Sequence, residues 1–263
     1  AMITDWDSFI ELGKKVREES AEKVYMMAGI GDVREIVTFQ MSTPWVEDGA
    51  VNAYLFESVF EDLVKFRDSG ILDKLSPWTP GWYAAYGQEQ YVFAPCAIWS
   101  PEYVIGPNDT DGEDDWGLMN VPGGNYNNGG TTFSISTKSD EKEATWEFIR
   151  YATLSTDGAE AAKQVGYLTS AKDPYEEREN FASFTHFNFG EFDLGEFWIE
   201  EAIPEMDIRP MTQYDHLVFD AVELVTTSLN NDMNIDVEEA MEHFVSELED
   251  SLPDFEIRLT VEK

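Results

Sequence analysis

Cysteine, histidine and positive charge are all scarce in this 263-residue chain, which holds one cysteine, three histidines and 17 lysines plus arginines. A lone Cys96 cannot close an intrachain disulfide, and its small, apolar setting from Phe93 to Ile98 reads as a buried structural thiol rather than a nucleophile. His186, His216 and His243 are far apart and lack the spacing of metal ligands. The Gly-x-Ser-x-Gly, Gly-x-Gly-x-x-Gly and phosphate-loop patterns are absent. Asn108-Asp109-Thr110-Asp111-Gly112 hints at a calcium loop, but in that register Pro107 and Leu118 would fall on ligand positions, so it reads as a solvated acidic loop. No window approaches the roughly 18 apolar residues of a membrane span. The start carries no basic flank with an apolar core; Ala1-Met2 reads as an artificial beginning, with any export signal expected to have been cut away.

Acidic residues are the opposite extreme: 53 Asp plus Glu give a formal net charge of -36. Such a field repels nucleic acid and anionic lipid, because phosphate binding needs clustered cations. It also disfavours anionic small ligands. The acids are spread along the chain, as on a solvated acidic surface. With so many carboxylates, a pair at the separation needed for glycoside hydrolysis occurs by chance, so their abundance is no sign of that chemistry.

What remains is a chain rich in apolar and aromatic residues, 43% and 14%, enough for one large domain or two modest ones. Thr4 is the expected cap of a first helix carrying Trp6, Phe9, Ile10, Gly13 and Val16 on one stripe. Lys23–Met27 reads as a strand feeding the loop Ala28-Gly29-Ile30-Gly31-Asp32. A long helix over 52–68 buries Phe56, Val59, Phe60, Leu63 and Phe66 and stops at Gly70. Val92–Ala94 reads as a buried strand, 106–115 as a loop and 131–136 as a strand. Further helices are expected over 139–155, 157–166, 195–202 and 214–229, the last with Leu217, Val218, Ala221, Leu224, Val225 and Leu229 on one side. A final helix is capped by Asp236. Strands alternating with helices point to α/β architecture.

One ordered stretch is more specific. A small-residue segment ends in a tryptophan, Phe93-Ala94-Pro95-Cys96-Ala97-Ile98-Trp99. Asp115-Trp116-Gly117, Gly129-Gly130, Thr131-Thr132-Phe133-Ser134-Ile135-Ser136, a helix around Trp146 and Val165-Gly166-Tyr167 follow in that order. Together with Thr4-Asp5-Trp6-Asp7-Ser8-Phe9, which is similar to a T-W-x-E-F helix start, this order resembles the extracellular solute-binding proteins of ABC importers, in the carbohydrate-binding family that includes maltose-binding protein. The resemblance implies an α/β, periplasmic-binding-protein-like fold in which the amino-terminal part of the first lobe is missing. Residues 1–122 and 172–263 would form the second lobe, and 123–171 the returning segment of the first. Strand 131–136 would then lack its sheet and be poorly ordered or paired intermolecularly. The implied function is binding a neutral oligosaccharide outside the cell, at the cell surface or in the periplasm, and handing it to a membrane permease. No catalysis, cofactor or metal is implied. A glycan-active hydrolase or a non-sugar-binding interaction module are the alternatives.

Sugars present apolar ring faces and hydroxyl rims, so a sugar site needs aromatic platforms with amide, carboxylate and backbone partners. Trp99 matches the family's stacking tryptophan and is the leading candidate, with core packing as the other reading. Trp82 and, behind it, Trp78 flank Thr79-Pro80-Gly81; Trp45 follows Pro44 in another loop. Trp6, Trp146 and Trp198 lie on helical stripes and read as core, and Trp116 as structural. The resemblance adds Gly129 and Gly130, whose bare backbone can approach a ligand or make a tight turn. It also adds Gly31 and Asp32 at a strand's carboxyl end, Glu191 and Asp193 in a returning loop, and Tyr214 and Asp215 at a T-x-Y-D helix start, where Asp215 can equally be a first-turn acid.

Overall fold

The computed structural model describes residues 3–176 and 184–261. In chain order its helices are α1 (Trp6–Glu19), α2 (Ile30–Phe39), α3 (Phe56–Ser69), α4 (Pro80–Ala85), α5 (Gly106–Asn108, continuing a π-turn Pro101–Ile105) and α6 (Lys142–Leu154). They continue with α7 (Thr156–Lys163), α8 (Asp173–Glu176), α9 (Leu194–Glu196, running into a π-turn Phe197–Ala202), α10 (Asp215–Asn231) and α11 (Val237–Ser251). Short strands β1 (Val46–Glu47), β2 (Ala50–Val51) and β3 (Glu256–Ile257) form one sheet, antiparallel between β1 and β2 and parallel between β2 and β3. The chain divides into two units: Ala1–Pro95 with Val121–Asn127 and Met206–Lys263, and Cys96–Asn120 with Asn128–Glu205. Segments 96–120 and 184–205 thus cluster with the chain after 128.

The first unit holds the main core. Phe56, Val59, Phe60, Leu63 and Phe66 are buried on α3 as their spacing predicts, and Gly70 ends the helix at φ 69°. Against this face α11 places Phe244, whose ring lies 4.7 Å from Phe56 and 5.4 Å from Phe60. Asp236 caps α11 by accepting from the Glu239 amide at 3.0 Å. On α10 the buried stripe is Val218, Ala221, Val222, Val225 and Leu229; Leu224, expected there, faces solvent. The first helix is capped by Asp5 and not Thr4: the Asp5 carboxylate accepts from the Ser8 amide at 2.7 Å while Ser8 Oγ accepts from the Asp5 amide. Ser8 closes that reciprocal box on Asp5, whose carboxylate also suits the positive helix end.

The expected strand Lys23–Met27 survives as single parallel bridges, Tyr25 to Tyr91 and Met27 to Leu72. The Met26 amide donates to Ile71 O (2.8 Å), and the Phe93 amide donates to Met26 O (2.9 Å), so 25–28 lies between 71–75 and 90–93. Val92 is exposed; only its neighbour Phe93 turns inward, 5.2 Å from Phe9. The expected loop 28–32 is instead the entry of α2. Ile30, Val33, Ile36 and Val37 recur at helical spacing and are buried, and Gly29 is the cap. Gly29 is required there because a Cβ would stand 2.0 Å from the Leu75 carbonyl oxygen.

In the second unit, segment 106–115 is partly helical and then a loop pinned from outside. Asn188 Nδ2 donates to Asp109 O (2.6 Å) and Gly112 O (2.9 Å), and Trp116 Nε1 donates to Asp109 Oδ2 (2.7 Å), the structural role expected of Trp116. Helix α6 begins at Lys142 rather than Ser139 and buries none of its residues. Trp146 is 50% exposed, against the expectation of core packing, with Phe148, Tyr151 and Leu154 similarly bare. Residues 131–136 form no strand among the described residues, because no neighbouring strand lies there to receive their amides and carbonyls.

Candidate functional site

The candidate residues of the first unit are mostly spent on holding it together. Trp45 is buried at 1% exposure against Phe39 and Phe56, with the Arg209 guanidinium 3.5 Å from its ring centre, so it offers no face to a ligand. Asp215 is buried as well. It pairs with Arg209 and accepts from the Thr212 amide (2.8 Å) and Thr212 Oγ1 (2.7 Å), the first-turn role foreseen as its alternative. Tyr214, just before α10, packs its ring 4.7 Å from Phe255 and remains partly exposed.

Gly31 and Asp32 lie in the first turn of α2, under the loop that follows residue 75. The Pro77 ring sits 2.6 Å from where a Gly31 Cβ would be, so this glycine serves close packing and not ligand approach. Asp32 is 3% exposed and accepts from Trp82 Nε1 at 2.9 Å. Burial lifts its carboxyl to about 7, with the Trp82 donor pulling the other way and Glu35 pushing up. Trp82 itself is buried in α4, where Thr79 caps the helix; its ring is a pillar of the unit. The neighbour ranked behind it, Trp78, is the exposed one. Trp78 is 53% exposed, has φ +65° and packs 5.1 Å from Trp82. The helix signal Thr79-Pro80, a cap followed by proline at the first helical position, marks Trp82 as the helical, buried member of the pair.

In the second unit Trp99 is partly buried in a turn, not at a strand exit. The Ser100 amide donates to Ala97 O (2.9 Å), and the Tyr103 amide to Trp99 O (3.1 Å). Gly129 and Gly130 are exposed at φ +90° and +131° with open space where side chains would be. Glu191 is exposed beside a shallow groove lined by Glu113, Asp114, His186 and Phe187. Asp193 caps α9, accepting from the Glu196 amide at 3.0 Å. Cys96 is only partly buried, yet loss of hydration pushes its thiol up to about 12, far from a reactive thiolate. Among the described residues these candidates carry aromatic faces, backbone amides and carboxylates.

Residues 1–186 match the family model described as bacterial extracellular solute-binding protein. No protein of curated function matches the chain. Among solved structures, the chain is similar to an extracellular solute-binding protein of family 1 (TM-score 0.79, 18% identity, 95% of this chain and 64% of the other). It is also similar to the galacto-N-biose-/lacto-N-biose I-binding protein of the ABC transporter from Bifidobacterium longum, in complex with lacto-N-biose (0.71, 14%, 98% and 65%). A third similar structure is the ABC transporter associated binding protein from B. animalis subsp. lactis Bl-04 in complex with beta-1,6-galactobiose (0.70, 18%, 97% and 68%). At such identities the likeness is one of fold, and the chain spans about two thirds of each neighbour's length. With the family match covering well over half of its residues, the chain belongs to the bacterial extracellular solute-binding proteins and has their periplasmic-binding-protein-like α/β fold.

Proposed function

We propose that this protein captures a neutral oligosaccharide outside the cell and presents it to the permease of an ABC importer, without chemistry on the sugar. The observation that carries the reading is the family match over residues 1–186, joined by fold neighbours whose bound ligands are lacto-N-biose and beta-1,6-galactobiose. The net charge of -36 supports a neutral ligand. Trp99, Gly129, Gly130, Glu191 and Asp193, all of the second unit, are the proposed contacts, since each retains exposed surface. Presentation to a permease requires a conformer favoured by the sugar, which a ligand achieves only through contacts made better in that conformer.

We also propose that 123–171 is the returning segment of the first lobe and that 131–136 is either poorly ordered or paired with another chain. What supports this is the bare aromatic surface of α6 and the chain's two-thirds span of its neighbours. Calorimetric titration with malto-, xylo-, manno- and galacto-oligosaccharides, lacto-N-biose and beta-1,6-galactobiose tests the function. Micromolar binding to one class, weakened at least about tenfold by Trp99→Ala, is expected. Silence across the panel would overturn the carbohydrate reading.

A further inference from the structure

Trp78 combines features that seldom meet in one residue. Its indole is 53% exposed, and its backbone stands at φ +65°. For a large non-glycine residue that left-handed region is strained, and such strain persists only where the surroundings over-determine it. The surroundings here are explicit. Trp78 packs 5.1 Å from Trp82 and 6.3 Å from Tyr83, and Trp82 packs 5.2 Å from Tyr83 and 4.9 Å from Tyr86. Trp82 is in turn fixed by its Nε1–H bond to the buried Asp32 carboxylate. The exposed ring thus leans, tilted by 45°, on an indole that is itself tied to the core.

Its position is equally defined. The segments 25–28 and 71–75 run parallel, the Leu75 amide donating to Ala28 O at 2.9 Å, and Trp78 lies in the loop leaving the carboxyl end of that pair. That end of a parallel α/β ladder is where ligands gather. Tyr83 and Thr79 keep exposed surface beside the ring, and the described residues from 76 to 91 contain no Lys or Arg. A rigid, uncharged aromatic plate flanked by hydroxyls suits the apolar face of a neutral sugar ring.

We infer that Trp78 is a stacking platform for one ring of a neutral saccharide, held ready by the Asp32–Trp82 pillar. This rests on the carbohydrate reading above. Glycine adopts φ +65° without strain, so Trp78→Gly removes the ring without forcing the loop backbone, and the packing lost against Trp82 is read separately by melting. Calorimetric titration of wild type, Trp78→Gly and Trp78→Phe with the same panel, each checked by thermal melting, tests the inference. The expected result is a loss of about tenfold or more in affinity for Trp78→Gly and about threefold or less for Trp78→Phe, with both variants still folded, by cooperative melting, at the titration temperature. Unchanged affinity in Trp78→Gly, as when the ring seats a protein partner instead, would overturn the platform and leave the carbohydrate reading standing. A wild type that binds none of the panel would overturn both.

Discussion

Asp32 is the residue whose chemistry the fold alters most. Its carboxyl, ordinarily near 3.8, sits at about 7 because burial disfavours the anion more than the Trp82 donor favours it. A folded-state value above the unfolded one means that the folded state binds its proton more tightly. The resulting stability is fully present below about pH 4 and is lost as pH rises from there to about 7. Asp32→Asn keeps an oxygen for Trp82 Nε1 and removes the charge. The variant is expected to gain on the order of a few kcal/mol over wild type at pH 8 and to lose that advantage by pH 4, as read by denaturant unfolding across the range. A gap between the two proteins that does not change with pH would contradict the assignment. The acid itself could be read in the sequence, but its burial could not, since the Trp82 indole that bonds it comes from 50 positions downstream.

Two helices of similar length show how an apolar pattern can mean opposite things. Helix α3 has Phe56, Val59, Phe60, Leu63 and Phe66 on a single stripe, and all are buried. Helix α6 carries Trp146, Phe148, Ile149, Tyr151 and Leu154 around more of its circumference, and none is buried. Phe60→Ala is therefore expected to cost about 3–5 kcal/mol in denaturant unfolding, and Phe148→Ala less than about 1 kcal/mol. Equal costs would show that α6 is covered in solution. The α3 stripe was legible because its partner faces, on α10 and α11, lie in the same chain. The α2 helix was missed although Ile30, Val33, Ile36 and Val37 have its period, because two glycines in its first residues mimic a loop. Only the close approach of the Leu75 carbonyl explains the first of them.

For the whole molecule, -36 charges on 263 residues repel one another wherever cations do not intervene. Most of the ion pairs among the described residues involve side chains at the surface, where each contributes little. Raising salt from about 0.1 to 1 M shortens the screening length from about 10 to 3 Å, so the melting temperature is expected to rise over that range. A melting temperature that stays flat or falls would show that the acidic surface is not limiting. Composition, helical period and the ordered motifs from Phe93 to Tyr167 are local properties, and they determined the α/β class and the family. Which tryptophans face solvent was decided only by the tertiary structure. Trp45 is buried under Arg209, Trp82 is held by Asp32, and Trp78 and Trp146 are left bare. Exposure depends on what packs against a ring, and those partners come from residues far along the chain that no local pattern announces.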